Sequence, residues 1–263
     1  MMELAIKAAF QGGLEILEVY GTAFSVDVKE DKSPLTEADR RAHNRIMEFL
    51  SATGIPVLSE EGKSIPYSER RHWKQFWLVD PLDGTKEFIK RNGEFTVNIA
   101  LIENGVPVSG VIYVPVKDEM YLGIEGKGAF KISEYSKIHA SNTDLEDLLS
   151  KGIKLPIDTG RTTFSMVGSR SHMSDETLEY LEKMKQQHGE VDMVSMGSSL
   201  KLCLVAEGVA DVYPRFAPTM EWDTAAGQAI ATNAGCLVTG QDERTPLRYN
   251  KENLLNPWFV VKG

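Results

Sequence analysis

The chain of 263 residues contains little cysteine, and no apolar run in it is long enough to cross a bilayer. Its two cysteines, Cys203 and Cys236, lie in apolar segments without CxxC spacing, which argues against a disulfide framework and against a zinc site. A membrane-spanning helix needs roughly 20 mostly apolar residues, and the first 20 residues here include three glutamates and no signal-peptide core. We therefore expect a cytoplasmic protein without an integral membrane segment, and a peripheral contact with the inner membrane stays open.

The sequence also lacks a run of basic residues. Its net charge is −9, whereas a protein that binds nucleic-acid polymers through their phosphates needs clustered Lys and Arg, so that class is excluded. An acidic protein can still bind a small anionic ligand where bound cations reverse the local field. The length suits one large domain or two packed halves, and no internal repeat is present.

Hydrophobic spacing predicts a mixed α/β chain in two halves, residues 1–150 and 151–263. The first half is predicted to contain helices at 3–19 and from Ser33-Pro34 to about Leu50, a hairpin of strands 95–102 and 106–114 around Asn104-Gly105, and strands at 120–124 and 129–132. A polar and irregular segment, residues 136–163, is the predicted boundary. Beyond it strands alternate with helices, with strands at 164–167, 191–194, 210–213 and 259–261 and helices at 176–187, 199–206 and 224–233.

The run Asp80-Pro81-Leu82-Asp83-Gly84-Thr85 follows an apolar stretch that is typical of a buried strand. It supplies the carboxylate oxygens that Mg²⁺ prefers and leaves coordination positions for water and phosphate. Gly84 and Thr85 then open a segment able to begin a helix, whose free N–H groups attract an anion. The run therefore predicts a place where a cation and a phosphate meet.

Other acids stand at the ends of predicted elements. Glu60 and Glu61 follow an apolar run, Asp223 begins a helix of small residues, and Asp39 lies three residues after Thr36. Each of them also fits an ordinary role as a turn residue or a helix cap, and Thr36 with Asp39 matches a capping box. Spacing alone leaves both interpretations open.

These motifs together resemble a known family. The pair Glu60-Glu61, the run 80–85 and Trp222-Asp223 before an alanine-glycine helix resemble the lithium-sensitive, Mg²⁺-dependent phosphatase superfamily that includes inositol monophosphatase. Longer runs resemble the bacterial 3′(2′),5′-bisphosphate nucleotidases of that superfamily, at residues 57–61, 77–100, 197–208 and 213–216. The resemblance spans almost the whole chain and implies a layered αβαβα sandwich of the inositol monophosphatase and fructose-1,6-bisphosphatase type.

The resemblance also implies roles for individual residues. Two to three Mg²⁺ would be held by five ligands, namely Glu60, Asp80, the Leu82 carbonyl, Asp83 and Asp223. Asp39, Glu60 and Thr85 match positions that hold the attacking water, so that a carboxylate can take a proton from this water and the resulting hydroxide attacks phosphorus in line. The substrate would touch Glu60, Leu82, Asp83, Gly84, Thr85, Ser198, Lys201, Arg215 and Asp223. His172 either contacts the base or is structural.

The implied reaction is Mg²⁺-dependent, lithium-sensitive hydrolysis of adenosine 3′,5′-bisphosphate to AMP and phosphate, a step of sulfur metabolism. Lys201, which interrupts an apolar helix, and Arg215 would bind the second phosphate. Two alternatives stay open: an inositol or sugar phosphate monoesterase of the same superfamily, and a nucleotide-binding regulator without catalysis. We expect a monomer, with residues 30–35 as a flap that completes the site.

Overall fold

Helices alternate with β-sheets in the computed structural model, which describes residues 1–22, 27–28, 34–35, 37–139, 144–168 and 173–263. The nine described α-helices are α1 Met2–Tyr20, α2 Glu37–Leu50, α3 Tyr67–Arg70, α4 Thr85–Ile89, α5 Tyr135–His139, α6 Leu145–Lys151, α7 Asp175–His188, α8 Leu200–Ala206 and α9 Glu221–Asn233. Short 3-10 turns occupy Ser51–Thr53 and Pro115–Lys117. None of these helices has the length and apolar character of a membrane span.

The strands form a short pair and two large sheets. The pair is β1 Asp27–Val28 with β2 Pro34–Leu35, which run antiparallel. The first large sheet has the sequential order β3 Val57–Ser59, β4 Gln75–Asp83, β5 Thr96–Glu103, β6 Val106–Val114, β7 Glu119–Ile124, β8 Gly128–Ser133 and β9 Ile153–Leu155. Only β3 and β4 are parallel among its described neighbours.

The second sheet comes from the C-terminal part of the chain. Its strands are β10 Phe164–Gly168, β11 Val191–Ser195, β12 Val212–Arg215, β13 Leu237–Gly240 and β14 Phe259–Lys262, in the order β11-β10-β12-β14-β13. Strand β10 is parallel to β11 and β12, whereas β14 is antiparallel to its neighbours β12 and β13.

Three separate apolar clusters show the order of the layers. Helices α1 and α2 cover one face of the first sheet, α8 and α9 lie between the two sheets, and α7 covers the outer face of the second sheet. Burial of one face of α1, α2 and α7, of nearly all of α8 and α9, and of both faces of each sheet is the driving force for this arrangement. The predicted αβαβα sandwich is confirmed.

Helix α9 approaches the first sheet very closely at two glycines that pair across β6 and β7. A Cβ atom on Gly110 would lie 2.5 Å from the Ala226 oxygen, and one on Gly123 would lie 2.5 Å from the Ala229 oxygen. Backbone atoms cannot yield as flexible side chains can, so these positions need glycine. The contact fixes α9, and with it Asp223, on the sheet that carries Asp80 and Asp83.

Several sequence predictions need correction. The segment 136–163 is not irregular, because it contains α6 and β9, and β9 extends the first sheet past residue 150. Asp144 caps α6, because its side chain accepts a hydrogen bond from the Asp147 N–H at 2.9 Å. In the sequence this capping residue is hard to recognise, because it stands among other polar residues. The second helix begins at Glu37 rather than at Ser33-Pro34. Strand β12 covers Val212–Arg215 rather than 210–213, and β13 was not predicted. The division at residue 150 itself remains a prediction.

Candidate active site

The site begins where β4 loses its regular pairing. From Phe76 to Leu82 the strand is buried, and its register with β5 shifts between Asp80 and Asp83, where Pro81 has no N–H to donate. Asp80 is 1% exposed, and its Oδ1 accepts from the Leu82 N–H at 3.1 Å. The strand end therefore carries a carboxylate out of reach of bulk water.

Gly84 turns the chain from β4 into α4. Its φ of 92° lies in the left-handed region, where a side chain is strained, and a Cβ there would lie 3.2 Å from both the Glu94 oxygen and Ser198 Cβ. Helix α4 starts at Thr85, as predicted, and the Thr85 hydroxyl donates to the Leu82 carbonyl at 3.5 Å. Thr85 and the Leu82 carbonyl are thus neighbours.

The structure brings the predicted acids together. Burial raises the pKa of Asp80 well above its usual range, and the negative charges of Glu60, Asp83, Asp223 and Asp39 raise it further. Burial, followed by the charge of Asp83, raises the pKa of Asp223 to about 7. Five carboxylates from β4, α2, α9 and the residue after β3 therefore interact electrostatically in one place.

The individual acids differ in exposure. Asp39 is buried on α2, Asp83 and Asp223 are half-buried, and Glu60 is exposed, with its N–H bound to the Val79 carbonyl at 3.1 Å. Asp223 accepts from the Met220 N–H at 2.8 Å, so it caps α9 and belongs to the acid cluster at once. The interpretation of this residue as a helix cap is confirmed, and its role as a metal ligand stays a prediction. Thr36, the other half of the proposed capping box on α2, lies outside the described residues.

The donor chemistry of the cluster fits a hard divalent cation. Within the described part of the chain, no three acidic, histidine or cysteine side chains stand in the spacing of a preformed metal centre. The fit rests instead on carboxylates that raise one another's pKa in a buried place, since a cation among them would remove this repulsion. Carboxylate and carbonyl oxygens are the ligands that Mg²⁺ prefers.

A buried polar network that sequence reasoning missed holds Asp83. The Ser199 N–H donates to Asp83 Oδ2 at 2.5 Å, and Asn98 Nδ2 lies 3.4 Å from the same oxygen. The Ser199 hydroxyl bonds Asn98 Oδ1 at 2.9 Å and the Thr96 hydroxyl at 2.8 Å. Burial raises the pKa of Asp83 although Lys201 and these donors lower it. The available signal was two polar residues, Thr96 and Asn98, at a spacing of two in an apolar strand.

A cleft of about 660 Å³ opens from this network. Its lining combines acids, cations and apolar surface, and includes Asp83, Asp223, Lys86, Lys90, Lys201, Arg215, Tyr213 and Phe259. Burial lowers the pKa of Lys201, with the charge of Asp83 acting in the opposite sense. Arg215 donates to the Pro218 carbonyl at 3.3 Å, and its buried Nε has no hydrogen-bond partner among the described residues. The cleft can therefore accept an anionic ligand beside the acids.

The predicted substrate residues fall largely on this cleft. Gly84, Ser198, Lys201 and Arg215 line it together with Asp83 and Asp223. Leu82 and Thr85 lie one step along the chain from its wall. His172 lies outside the described residues, as do most of residues 30–35, where the flap was predicted.

The layered fold, together with an acid cluster beside a cleft that is lined by cations, fits a phosphatase. The chain belongs to the inositol monophosphatase family, whose model matches residues 1–258. Enzymes of this family depend on metal ions, generally Mg²⁺.

Individual proteins to which the chain is similar belong to one type of enzyme within this family. The chain is 46% identical over 265 residues to the 3′(2′),5′-bisphosphate nucleotidase CysQ of Salmonella typhimurium, covering 99% of each chain. It is 45% identical over 266 residues to the CysQ of Escherichia coli K12, again over 99% of each chain. The solved structure of CysQ from Bacteroides thetaiotaomicron superimposes with a TM-score of 0.93 at 55% identity, over 99% of this chain and 96% of that one. The predicted resemblance is confirmed.

Proposed function

We propose that the protein is a Mg²⁺-dependent 3′(2′),5′-bisphosphate nucleotidase that hydrolyses adenosine 3′,5′-bisphosphate to AMP and phosphate. The observation that carries this proposal is one cleft lined by two acids of the cluster, Asp83 and Asp223, and beside them by Lys201 and Arg215. A substrate with two separated phosphates matches this pairing of acids and cations. Sequence identity of 46% over nearly the whole length of a nucleotidase supports the same substrate class.

The acid cluster would hold the metal. Glu60, Asp80, Asp83 and Asp223 supply carboxylates, and Leu82 supplies its carbonyl, enough donors for two or three ions. When bound, the cations lower the pKa of water and neutralise charge that develops on the phosphate and on the leaving oxygen. The carboxylates, which repel one another without metal, would then serve as ligands of the cations.

Asp39 and Thr85 would handle the attacking water. Asp39 is buried beside Asp80, where a carboxylate can accept a proton from water in a site of low dielectric. The Thr85 hydroxyl donates to the Leu82 carbonyl, which leaves its lone pairs to receive a hydrogen bond from that water and fix its orientation. Water then attacks phosphorus in line, and no covalent phosphoenzyme is required.

Lys201 and Arg215 would bind the second phosphate, which a monophosphate lacks. Arg215 lines the cleft and has a planar fork suited to phosphate. We further propose lithium inhibition, a cytoplasmic location and a role in sulfur metabolism, each on the basis of the nucleotidase assignment.

Phosphate release with Mg²⁺ from adenosine 3′,5′-bisphosphate, inositol 1-phosphate and fructose 1,6-bisphosphate tests the proposal, with Li⁺ and with EDTA as further arms. We expect the adenosine bisphosphate to have the highest kcat/KM, and both Li⁺ and EDTA to stop release. A preference for inositol 1-phosphate would replace the nucleotidase by a monoesterase. Absence of Mg²⁺-dependent phosphate release from all three substrates would favour the other alternative, a nucleotide-binding regulator without catalysis.

An Arg215→Met variant tests whether Arg215 binds the second phosphate of the substrate. Loss of a hydrogen bond to a charged group costs about 1.5–3 kcal/mol, so kcat/KM for the bisphosphate should fall by about 10- to 150-fold. Hydrolysis of inositol 1-phosphate, which has no second phosphate, should change much less. Equal losses for both substrates would remove Arg215 from recognition of the second phosphate.

A further inference from the structure

The loop between β11 and α8, residues 196–199, is held by a lysine from the first turn of that helix. Lys201 Nζ donates to the Ser198 carbonyl at 2.7 Å and lies 3.4 Å from the Met196 carbonyl. Ser198 has a φ of 45°, in the left-handed region that is unfavourable for a residue with a side chain. A strained residue persists only when its surroundings hold it, and one of the contacts that hold Ser198 comes from Lys201.

The same loop turns its N–H groups towards two carboxylates. Gly197 N donates to Glu94 Oε2 at 2.8 Å, and Ser199 N donates to Asp83 Oδ2 at 2.5 Å. The Ser199 hydroxyl adds bonds to Thr96 and Asn98 in β5. The loop is thus a bridge between Lys201 on one side and the Asp83 carboxylate on the other.

We propose that Lys201 is a positioning residue of the metal site, which keeps the 196–199 loop in the conformation that places the Ser199 N–H on Asp83. This inference rests on the proposed function, because it takes Asp83 as a metal ligand. Residues that hydrogen-bond a metal ligand orient it, and their loss typically weakens metal binding by about 10- to 100-fold. An ammonium group has three donors, so Lys201 keeps one for a substrate anion while it holds the two carbonyls.

The direction in which Mg²⁺ affinity changes when Lys201 is removed distinguishes this positioning role from a purely electrostatic one. The charges of Lys201 and Asp83 lie close enough to interact. If Lys201 acted on the metal only through its positive charge, its removal would relieve repulsion and tighten binding of a divalent cation. If Lys201 holds the loop, its removal frees Asp83 and weakens that binding. A role confined to the substrate would leave metal binding without substrate unchanged.

Mg²⁺ titration by calorimetry, on the full chain without substrate, tests the proposal with Lys201→Met. Lys86→Met is the matched control, because Lys86 lines the same cleft on α4, is exposed, and bonds none of the 196–199 loop atoms described above. We expect the Kd for Mg²⁺ to rise about tenfold in Lys201→Met, and to stay equal or fall slightly in Lys86→Met. Amide hydrogen exchange at Gly197 and Ser199 should speed up only in Lys201→Met. Unchanged or tighter Mg²⁺ binding by folded Lys201→Met overturns the proposal.

A second variant covers the case in which Lys201→Met does not fold. Ser199→Ala removes the hydroxyl bonds that hold the loop to β5 and changes no charge. Weaker Mg²⁺ binding by Ser199→Ala supports the role of the loop, and unchanged binding overturns it. The substrate assay is separate: wild-type protein that binds Mg²⁺ without hydrolysing any substrate contradicts the proposed function, while the comparison of variants still decides the role of Lys201.

Discussion

Two opposing influences act on the pKa of Asp223. As a helix cap it accepts from the Met220 N–H, which favours the charged carboxylate. Burial and the charge of Asp83 favour the neutral form more strongly and raise the pKa from its ordinary value of 3.8 to about 7. Without metal, the folded protein therefore carries the full unfavourable charge of this carboxylate only above a pH of about 7.

The pH dependence of metal-free stability follows from this shift. Between the unfolded and folded pKa values the folded state binds more protons, so the free energy of unfolding falls as pH rises from 3.8 to about 7. Asp80, whose pKa is also raised, acts in the same direction. Urea unfolding in EDTA should show this decrease, and Asp223→Asn should make it smaller. Saturating Mg²⁺ should abolish it.

Asp211 provides the matched control for that experiment. Burial would raise its pKa, but Arg161 and the Ser165 N–H hold the pKa of this carboxyl below its usual range. Its contribution to stability is lost only as pH falls below 3.8, through that lowered value. Asp211→Asn should thus reduce stability equally at pH 5 and pH 8. An unaltered slope in Asp223→Asn would show that Asp223 is not responsible for the decrease.

At the scale of elements, the position of α9 depends on the two glycines beneath it. A Cβ on Gly123 would meet the Ala229 oxygen and Ile230 Cα at 2.5 Å, so Gly123→Ala should push the helix from the sheet. Overpacking of this kind costs on the order of 2 kcal/mol. Because Asp223 lies in the first turn of α9, Mg²⁺ binding should weaken as well.

Gly21→Ala is the control for this substitution. Gly21 ends α1 with a φ of −71°, and its added Cβ would lie 3.5 Å from the Leu17 oxygen, an ordinary contact. Such a change reduces the freedom of the unfolded chain and should leave stability equal or raise it by about 0.5 kcal/mol. Urea unfolding of both variants, followed by Mg²⁺ titration, measures the difference. Equal stabilities would mean that α9 adjusts to the extra atom.

The sequence predicts elements best where one face is strongly apolar. Helix α1 and the hairpin around Asn104-Gly105 were predicted within about two residues, because helical spacing and a tight turn leave local signals. Strand β9 was missed because two of its three residues are exposed and its pairing with β8 is a long-range contact. The same holds for the hydrogen bonds from Ser199 to β5, which join residues about a hundred positions apart.

The sequence predicted which acids lie near one another, and it did not predict their environment. The acids that the motifs indicate do meet, since the ends of strands and helices converge at one edge of the layers. Sequence could not show that Asp39 and Asp80 are buried whereas Glu60 is exposed, because burial depends on which layer covers each residue. It also could not show that Lys201 bonds two loop carbonyls.

At the scale of the whole molecule, a chain with a net charge of −9 has to bind an anion. The cleft contains lysines and an arginine, but Asp83 and Asp223 face the same space and repel a phosphate while they are charged. Divalent cations on these carboxylates would reverse the local field. Metal and phosphate should therefore assist each other's binding, and linkage requires the assistance to be reciprocal.

Calorimetry with inorganic phosphate measures this coupling without turnover. We expect the affinity for phosphate to fall by about tenfold or more when EDTA removes Mg²⁺, and the affinity for Mg²⁺ to rise by the same factor when phosphate saturates the protein. Asp83→Asn and Asp223→Asn should each reduce the coupling, since each removes a charge that the cation neutralises. Lys90→Met, at the exposed rim of the cleft, should weaken phosphate binding only slightly and leave the coupling intact. Equal phosphate affinity with and without Mg²⁺ would mean that Lys201 and Arg215 overcome the acids by themselves, and that the metal serves the chemical step alone.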